Sequence, residues 1–120
     1  MDFDYYRNLN IRICLSEFVD WNDPQVKEFK RKYFEAYADL PSAAAFEGFD
    51  MTKFIANNIM KYGINFQLFL EEDRERYLQT AYDIQKVYNA DDEKFENLKY
   101  LENKHLDLIQ YIGNAFEKIN

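Results

Sequence analysis

The 120-residue chain has few of the residues that carry covalent chemistry or bind metals. Cys14 is the only cysteine, which excludes an internal disulfide. His105 is the only histidine, and no spacing around it would bring the further ligands that a zinc site requires. No apolar run approaches the roughly 20 residues that cross a bilayer. Three glycines and two prolines interrupt the chain, so each of them is informative about turns and helix ends.

Basic residues are also scarce relative to acidic ones. Fifteen Lys and Arg stand against 22 Asp and Glu, which gives a formal charge of -7 and a pI near 4.7. Nucleic acids and anionic membranes attract basic faces, so both are disfavoured as partners. The hydrophobic share of 48% supplies the core of one ordinary domain. The first residues lack the basic and apolar regions of a signal peptide, which predicts a cytoplasmic location for the chain as it stands.

The first part of the chain predicts a strand followed by a helix. Residues 10–16 alternate apolar and polar side chains, which is typical of a strand with one buried face. Asp23 and Pro24 then form a helix start, with an acid as cap and proline at the first helical position. The apolar stripe of this helix is expected to consist of Val26, Phe29, Tyr33 and Tyr37. We expect the helix to end before Leu40-Pro41, because the residue ahead of a proline avoids helical backbone.

The segment Ala45-Phe46-Glu47-Gly48-Phe49-Asp50 leads into a second helical run, residues 51–62. We interpret Gly48 and Asp50 as the start of this helix, with Phe46 and Phe49 buried beneath it. Ser42 is a further candidate cap for the element that follows it. Gly63 is expected to terminate the helix. Another helical piece, residues 66–72, is predicted to begin at Asn65.

The second half of the chain predicts mostly strands. Alternation over residues 77–85 favours a strand. Residues 89–93 form a turn-rich acidic loop, and for residues 94–104 a short helix and a strand are equally supported. Residues 106–112 and 115–119 flank Gly113-Asn114, which is a typical two-residue hairpin turn. The expected order is therefore a strand, two to three helices and then terminal strands with a hairpin, an α+β arrangement.

No group of residues has the pattern of an active site. His105 has Asp107 and Glu102 nearby in sequence, but a general base or metal role needs further groups converging on it, so a structural or solvated role is expected. Cys14 is expected to be a small buried hydrophobe, because the only base available to activate it is His105. The acidic runs 71–73 and 91–93 lack the glycine and alternating ligands of a calcium loop. We therefore predict no enzyme activity, no metal and no cofactor, and assign no catalytic or ligand-binding residue.

The 21 tyrosines and phenylalanines allow two interpretations. Aromatic side chains at helical spacing are usually part of a core, which we expect for most of them. A minority could instead line a ligand cleft, where amphipathic rings are useful.

Several short segments run through most of the chain in a fixed order. They are Tyr6-Arg7-Asn8-Leu9-Asn10-Ile11, Phe18-Val19-Asp20-Trp21-Asn22-Asp23-Pro24-Gln25-Val26-Lys27-Glu28-Phe29, Lys32-Tyr33 with Tyr37, Leu40-Pro41, Phe46-Glu47-Gly48-Phe49-Asp50, Tyr62-Gly63 with Phe66, Leu78-Gln79-Thr80, and Glu102-Asn103-Lys104. Together they resemble the C-terminal part of the type 1 periplasmic-binding-protein family, typified by branched-chain amino-acid receptors. The likeness is greatest to a bacterial branch sometimes found with LysM modules. The order and spacing of the segments, rather than any one of them, carry the resemblance.

The resemblance implies a fold of two α/β lobes joined by crossing strands, with a small polar ligand such as an amino acid bound between them. It places residues 10–16 in a returning crossover strand, the two main helices on the flank of one lobe, and the chain from Tyr77 onward in the last crossover and terminal hairpin. It also implies that residues 1–120 form a single partial domain of a periplasmic or extracytoplasmic receptor for an ABC transporter. In two places the sequence departs from the family: Phe49 replaces a common tyrosine, and residues 94–102 resemble an insertion.

Because most ligand-contacting positions of that family would lie outside these residues, we expect the isolated chain not to bind an amino acid. Binding would require the missing lobe. The alternative is a stand-alone structural or interaction domain, which could associate with itself through exposed apolar surface.

Overall fold

A computed structural model of the chain describes residues 8–94 and 97–120. These residues form two α-helices, one 3-10 segment and five strands. The elements are β1 (Arg12–Leu15), α1 (Pro24–Tyr37), α2 (Ala43–Tyr62), the 3-10 segment (Gly63–Glu72), β2 (Ile84–Tyr88), β3 (Leu98–Asn103), β4 (Asp107–Ile112) and β5 (Ala115–Lys118). The fold is mixed, with helices and small antiparallel sheets, as the sequence predicted at this level.

Asp23 and Ser42, two cap candidates identified from the sequence, begin the two helices. The Asp23 carboxylate accepts a hydrogen bond from the amide of Gln25 at 2.8 Å, and Pro24 is the first residue of α1. Helix α1 ends before Leu40-Pro41, as predicted: Tyr37 is its last residue, and the left-handed backbone of the cap residue Ala38 (φ 54°) closes the last turn. The Ser42 hydroxyl accepts from the amide of Ala45 at the start of α2.

Helix α2 is longer than predicted, because it begins at Ala43 rather than near Met51. Its first three residues are alanines, the strongest helix formers, and the Ser42 hydroxyl accepts from the backbone amide of the third of them, Ala45. The interpretation of Gly48 and Asp50 as the helix start is therefore wrong, since both lie inside α2. Phe46 is buried as expected, whereas Phe49 keeps 37% of its surface exposed.

The end of α2 agrees with the sequence. Gly63 has a φ of 69°, which is costly for other residues, and its amide donates to the carbonyl of Ile59. The chain continues into the 3-10 segment, which is interrupted by a non-helical backbone at Asn65. The predicted helical piece beginning at Asn65 is thus present, with 3-10 rather than α geometry.

The strands form two antiparallel sheets. One has the order β1-β4-β5, with Ile13 opposite Ile109 and Tyr111 opposite Phe116, and the other consists of β2 and β3. The hairpin at Gly113-Asn114 joins β4 and β5, and Gly113 has a φ of 66°. In the undecided range 94–104, residues 98–103 form a strand, whereas residues 95 and 96 lie outside the described part of the chain.

The strand predicted over residues 77–85 is wrong for its first part. Residues 77–80 are all buried, so no polar face alternates with an apolar one. The amide of Tyr77 donates to the carbonyl of Thr80 at 2.8 Å, and an isolated bridge joins Arg76 to Ala81. These contacts close a tight turn, and regular pairing begins only at Ile84.

The core is small for a chain of this length. Val26 of α1, Phe46 of α2 and Leu78 of the buried turn form one cluster, with Val19 and Phe29 packed against it. The overall body measures 52 × 40 × 18 Å. Its radius of gyration is 18.0 Å, against about 14 Å for a compact domain of 120 residues. The molecule is therefore flat, and much of its apolar surface remains on the outside.

Candidate functional site

The carboxylate of Asp50 fixes the turn at residues 77–80 against α2. Asp50 is fully buried in the middle of the helix, and its two oxygens accept from the amides of Leu78 and Gln79, each at 2.9 Å. Burial raises the pKa of the Asp50 carboxyl, and the backbone donors act in the opposite direction. Asp50 therefore serves as a tertiary anchor between two segments 28 residues apart.

A second polar cluster lies two turns further along the same face of α2. The amide nitrogen of Asn58 donates to Oδ2 of Asp73 at 3.0 Å, and the hydroxyl of Tyr77 donates to the same oxygen at 2.9 Å. Burial and the hydrogen bond to Asp73 raise the pKa of Tyr77 well above its usual range. The tyrosine therefore stays a neutral donor, and the cluster holds the end of the 3-10 segment against α2.

The third cluster contains His105, which the sequence had marked as the only imidazole. Arg76 Nη1 lies 2.7 Å from both carboxylate oxygens of Asp107, and Arg76 Nη2 donates to the carbonyl of Phe18 at 3.0 Å. His105 Nε2 lies 3.0 Å from Asp107 Oδ1 and 3.3 Å from Arg76 Nη1. Asp107 is fully buried, so its charge needs the arginine as a partner.

Arginine, histidine and aspartate are residue types found in catalytic centres, but the contacts of this cluster are those of a buried ion pair with a histidine beside it. Arg76 already occupies the Asp107 carboxylate, and among the described residues no hydrogen bond joins Cys14 to His105. Sequence proximity had associated Asp107 with His105, whereas Arg76 comes from 29 residues earlier than His105 and no local pattern identifies it. The geometry is that of an ion cluster that ties the buried turn and residue 18 to the start of β4.

We expect His105→Gln to lower the free energy of unfolding by only about 0.5–1.5 kcal/mol, the value of one ordinary hydrogen bond. Arg76 would still neutralise Asp107 in the variant. Urea denaturation followed by the fluorescence of Trp21 measures the change. Glu102→Gln, at an exposed position three residues before His105, is the matched control and should be nearly neutral. A loss above about 3 kcal/mol would assign His105 a much larger role in the cluster.

The other predicted candidates occupy the surface. Cys14 is exposed rather than buried, because β1 is an edge strand whose four residues are all exposed. In the acidic runs, Glu71 pairs with Lys86 at 3.3 Å, and Asp92 accepts from the amide of Asn97. No group of three His, Cys, Asp or Glu in residues 8–94 and 97–120 could hold a metal ion.

An apolar groove lies between α1 and α2, and we call it the helix groove. Its first part, of about 330 Å³, is lined by Phe29, Phe49 and Leu78, which we call its floor, and by Lys32 and Lys53. A second part, of about 420 Å³, shares Phe29, Lys32 and Phe49 and continues toward Tyr33, Tyr37, Ala44, Ala45 and Gly48. The sequence left open whether any rings line a ligand cleft; in the structure Phe29, Phe49, Tyr33 and Tyr37 line the helix groove.

Gly48 lies in the second part of the helix groove, in the interior of α2. A Cβ atom at this position would meet no heavy atom within 4 Å. We therefore expect Gly48→Ala to stabilise the protein by about 0.5–1 kcal/mol, because alanine loses less backbone entropy in a helix. Thermal or urea unfolding measures the gain. Gly63→Ala is the contrasting control: its φ of 69° should make the same substitution destabilising.

Comparisons with protein-family models, with curated proteins and with solved structures find no match to this chain. Within the described residues, neither helix combines the length and the apolar character needed to span a membrane.

Proposed function

We propose that the chain is the C-terminal portion of an extracytoplasmic solute-binding protein of the type 1 periplasmic-binding-protein family. In the complete receptor it would form part of the walls around a small polar ligand, such as an amino acid, and of the surface that meets a transporter. The order of the sequence segments quoted above supports the proposal. The mixed fold, with its terminal hairpin, agrees with it at a coarse level.

The observation that carries the proposal is the incomplete burial of strand edges and apolar side chains in this flat molecule. The outer edges of β1 and β5 are unpaired among the described residues, and β2 and β3 form a separate two-stranded ribbon. Isolated two-stranded ribbons are marginal, and unpaired edges are normally covered. Large side chains such as Met60, Ile64 and Leu68 are 85%, 88% and 73% exposed. Further protein packed on these edges and faces would bury them. The facing lobe of a receptor would supply it.

The proposed mechanism is closure of two lobes around the ligand. The chain by itself presents only one side of such a cleft, so a ligand bound to it would remain largely in water. Small-molecule sites usually bury most of the ligand, because partial burial does not offset the entropy lost on binding. We therefore expect the isolated chain to have no measurable amino-acid affinity.

Calorimetry of the isolated chain against a panel of amino acids tests this expectation. The absence of heat beyond dilution supports the proposal, and saturable micromolar binding contradicts it. The coding region upstream of Met1 provides an independent test. A continuous reading frame for a facing lobe would support the receptor assignment, and an in-frame stop codon directly upstream would contradict it.

A second candidate function is a stand-alone interaction domain that forms a homo-oligomer. It is favoured by a stripe on α2 in which Met51, Ile55 and Ile59 recur every four residues and are 48%, 40% and 45% exposed. Such a stripe is the usual means by which helices pair. Light scattering separates the two candidates, since a defined oligomer favours the interaction domain and unspecific aggregation favours the receptor portion. Met51→Lys should disperse the oligomer, with the exposed Thr52→Lys as the matched control.

A further inference from the structure

We propose that the helix groove binds a small amphipathic monocarboxylate, a molecule with one carboxylate and an aliphatic or aromatic body. The carboxylate would lie between Lys32 of α1 and Lys53 of α2, and the apolar body would cover Phe29, Phe49 and Leu78. This site belongs to the chain itself and does not depend on a facing lobe, so it goes beyond the receptor function proposed above.

The floor of the helix groove is preformed. The rings of Phe29 and Phe49 are 4.8 Å apart between centroids, and Phe29 also packs against the buried Phe46 at 5.1 Å. Leu78 is only 5% exposed, and its amide is held by Asp50. An apolar ligand would therefore meet a fixed surface and would not have to order it first, which favours binding. The volume of about 330 Å³ is within the usual range for small-molecule sites, roughly 300–1,000 Å³.

The sides of the groove supply positive charge on a strongly acidic protein. Lys53 Nζ lies 5.7 Å above the Phe49 ring centroid, and no carboxylate among the described residues lies within ion-pair distance of it. Lys32 Nζ is 3.5 Å from Glu28 Oε1, at the long end of an ion pair. The two lysines come from different helices, and both line the groove together with Phe29, Phe49 and Leu78. A carboxylate would satisfy both ammonium groups while its apolar body faces the rings.

The same residues disfavour a ligand that carries an ammonium group. Among the described residues that line the groove, Glu28 is the one carboxylate, and Arg31 donates to both of its oxygens at 2.9 and 2.7 Å. These hydrogen bonds lower the pKa of Glu28 to about 2, so it remains charged and paired with the arginine. An amino acid would therefore bring an ammonium group without a free acceptor, next to two lysines. The groove should accept a carboxylate and reject the zwitterion of similar size.

The second part of the helix groove extends the apolar surface away from Lys53. It passes the methyl groups of Ala44 and Ala45 and the backbone of Gly48, and it shares the two phenylalanine rings with the first part. An extended hydrocarbon chain can follow this path, whereas a short acid cannot use it. Because each buried methylene should strengthen binding about fourfold, affinity should rise from butyrate to octanoate.

The experiment is a titration of the ¹⁵N-labelled chain with sodium octanoate, followed by the amide resonances of α1, α2 and residues 77–80. We expect saturable shifts that map to the groove, weaker binding of butyrate, and no comparable shifts with octylamine or leucine. Lys53→Gln and Lys32→Gln should each weaken octanoate binding about two- to fivefold, as expected for exposed ion pairs. Lys61→Gln is the matched control, because Lys61 lies on α2, pairs with Glu75 and does not line the groove.

Three results would overturn the proposal: shifts that map elsewhere, equal binding of octanol and octanoate, or unchanged affinity in both lysine variants. The variants replace exposed side chains, so folding should be preserved, and their amide spectra verify it. The octanoate titration does not test the receptor assignment. That assignment is tested by the upstream coding region and by calorimetry with amino acids.

Discussion

Replacing Asp50 with alanine is expected to lower the free energy of unfolding by about 2–6 kcal/mol, because two buried amides lose their acceptor and each unsatisfied donor costs about 1–3 kcal/mol. The amides belong to Leu78 and Gln79, and neither has a strand partner that could replace the carboxylate. Alanine is the best helix former, so α2 itself should persist. The variant thus isolates the tertiary contact from the helix. Urea denaturation of the variant and the wild type measures the difference.

Glu47→Ala is the control for this substitution. It removes a carboxylate from the same helix three residues earlier, at an exposed position, and should change stability by less than about 0.5 kcal/mol. If Asp50→Ala behaved like the control, Asp50 would not be the anchor of the buried turn. Released amides at 78 and 79 would also lose protection from hydrogen exchange, which distinguishes loss of the anchor from general destabilisation.

The pH dependence of stability provides a further test of the role of Asp50. Burial raises the pKa of the Asp50 carboxyl above its ordinary value of 3.8, so in the pH range just above that value the folded state binds more protons than the unfolded state. The contribution of this group is therefore greatest at low pH and falls as the pH rises through the folded-state pKa. Asp50→Asn should remove this slope, which a series of denaturation curves between acid and neutral pH can detect. A slope unchanged in the variant would assign it to other groups.

Phe46→Ala is the second substitution with a large expected effect, a loss of about 3–5 kcal/mol. The side chain is 1% exposed, packs with Val26 and Leu78, and meets the edge of Trp21 at 5.6 Å between centroids. Typical domains are stable by only about 5–15 kcal/mol. Since this cluster is the junction of both helices and the buried turn, the loss should bring the protein close to unfolding at room temperature.

Phe34→Ala removes a ring of the same size from α1 and serves as the matched control. Phe34 is 54% exposed, so its removal creates no cavity and should cost less than about 1 kcal/mol. Trp21 fluorescence and far-ultraviolet circular dichroism follow both variants through denaturation. Equal losses in the two variants would show that the cluster around Phe46 is not the main core.

Local signals were sufficient for the elements whose ends are set by their own residues. The caps Asp23 and Ser42, the terminator Gly63 and the hairpin at Gly113 satisfy backbone needs within a few residues, so the sequence predicts them directly. The predicted start of α2 was wrong because Gly48 and Asp50, considered with their neighbours alone, resemble a helix boundary. In the structure Asp50 finds its donors 28 residues away, and that distant contact determines its role.

The candidate sites also divide into contacts that local sequence predicts and contacts between distant residues that it does not. Sequence proximity brought Asp107 to His105, but Arg76, which neutralises Asp107, lies 31 residues from it. Lys32 and Lys53 belong to different helices, and only the packing of Phe29 against Phe49 brings them to one groove. The buried turn at 77–80 imitates a strand by its alternation, because nothing local shows that both of its faces are covered.

The flat shape of the molecule has a consequence for how its sequence can change over time. In a body 18 Å thick, few positions lie far from solvent, and among the described residues only Val26, Phe46, Phe54, Tyr77, Leu78, Ile109 and Tyr111 are buried hydrophobics. Selection on folding alone therefore acts strongly at a short set of positions, together with the buried acids at 50, 73 and 107. Elsewhere folding constrains the residues far less, so most of the surface could change in sequence while this framework is kept.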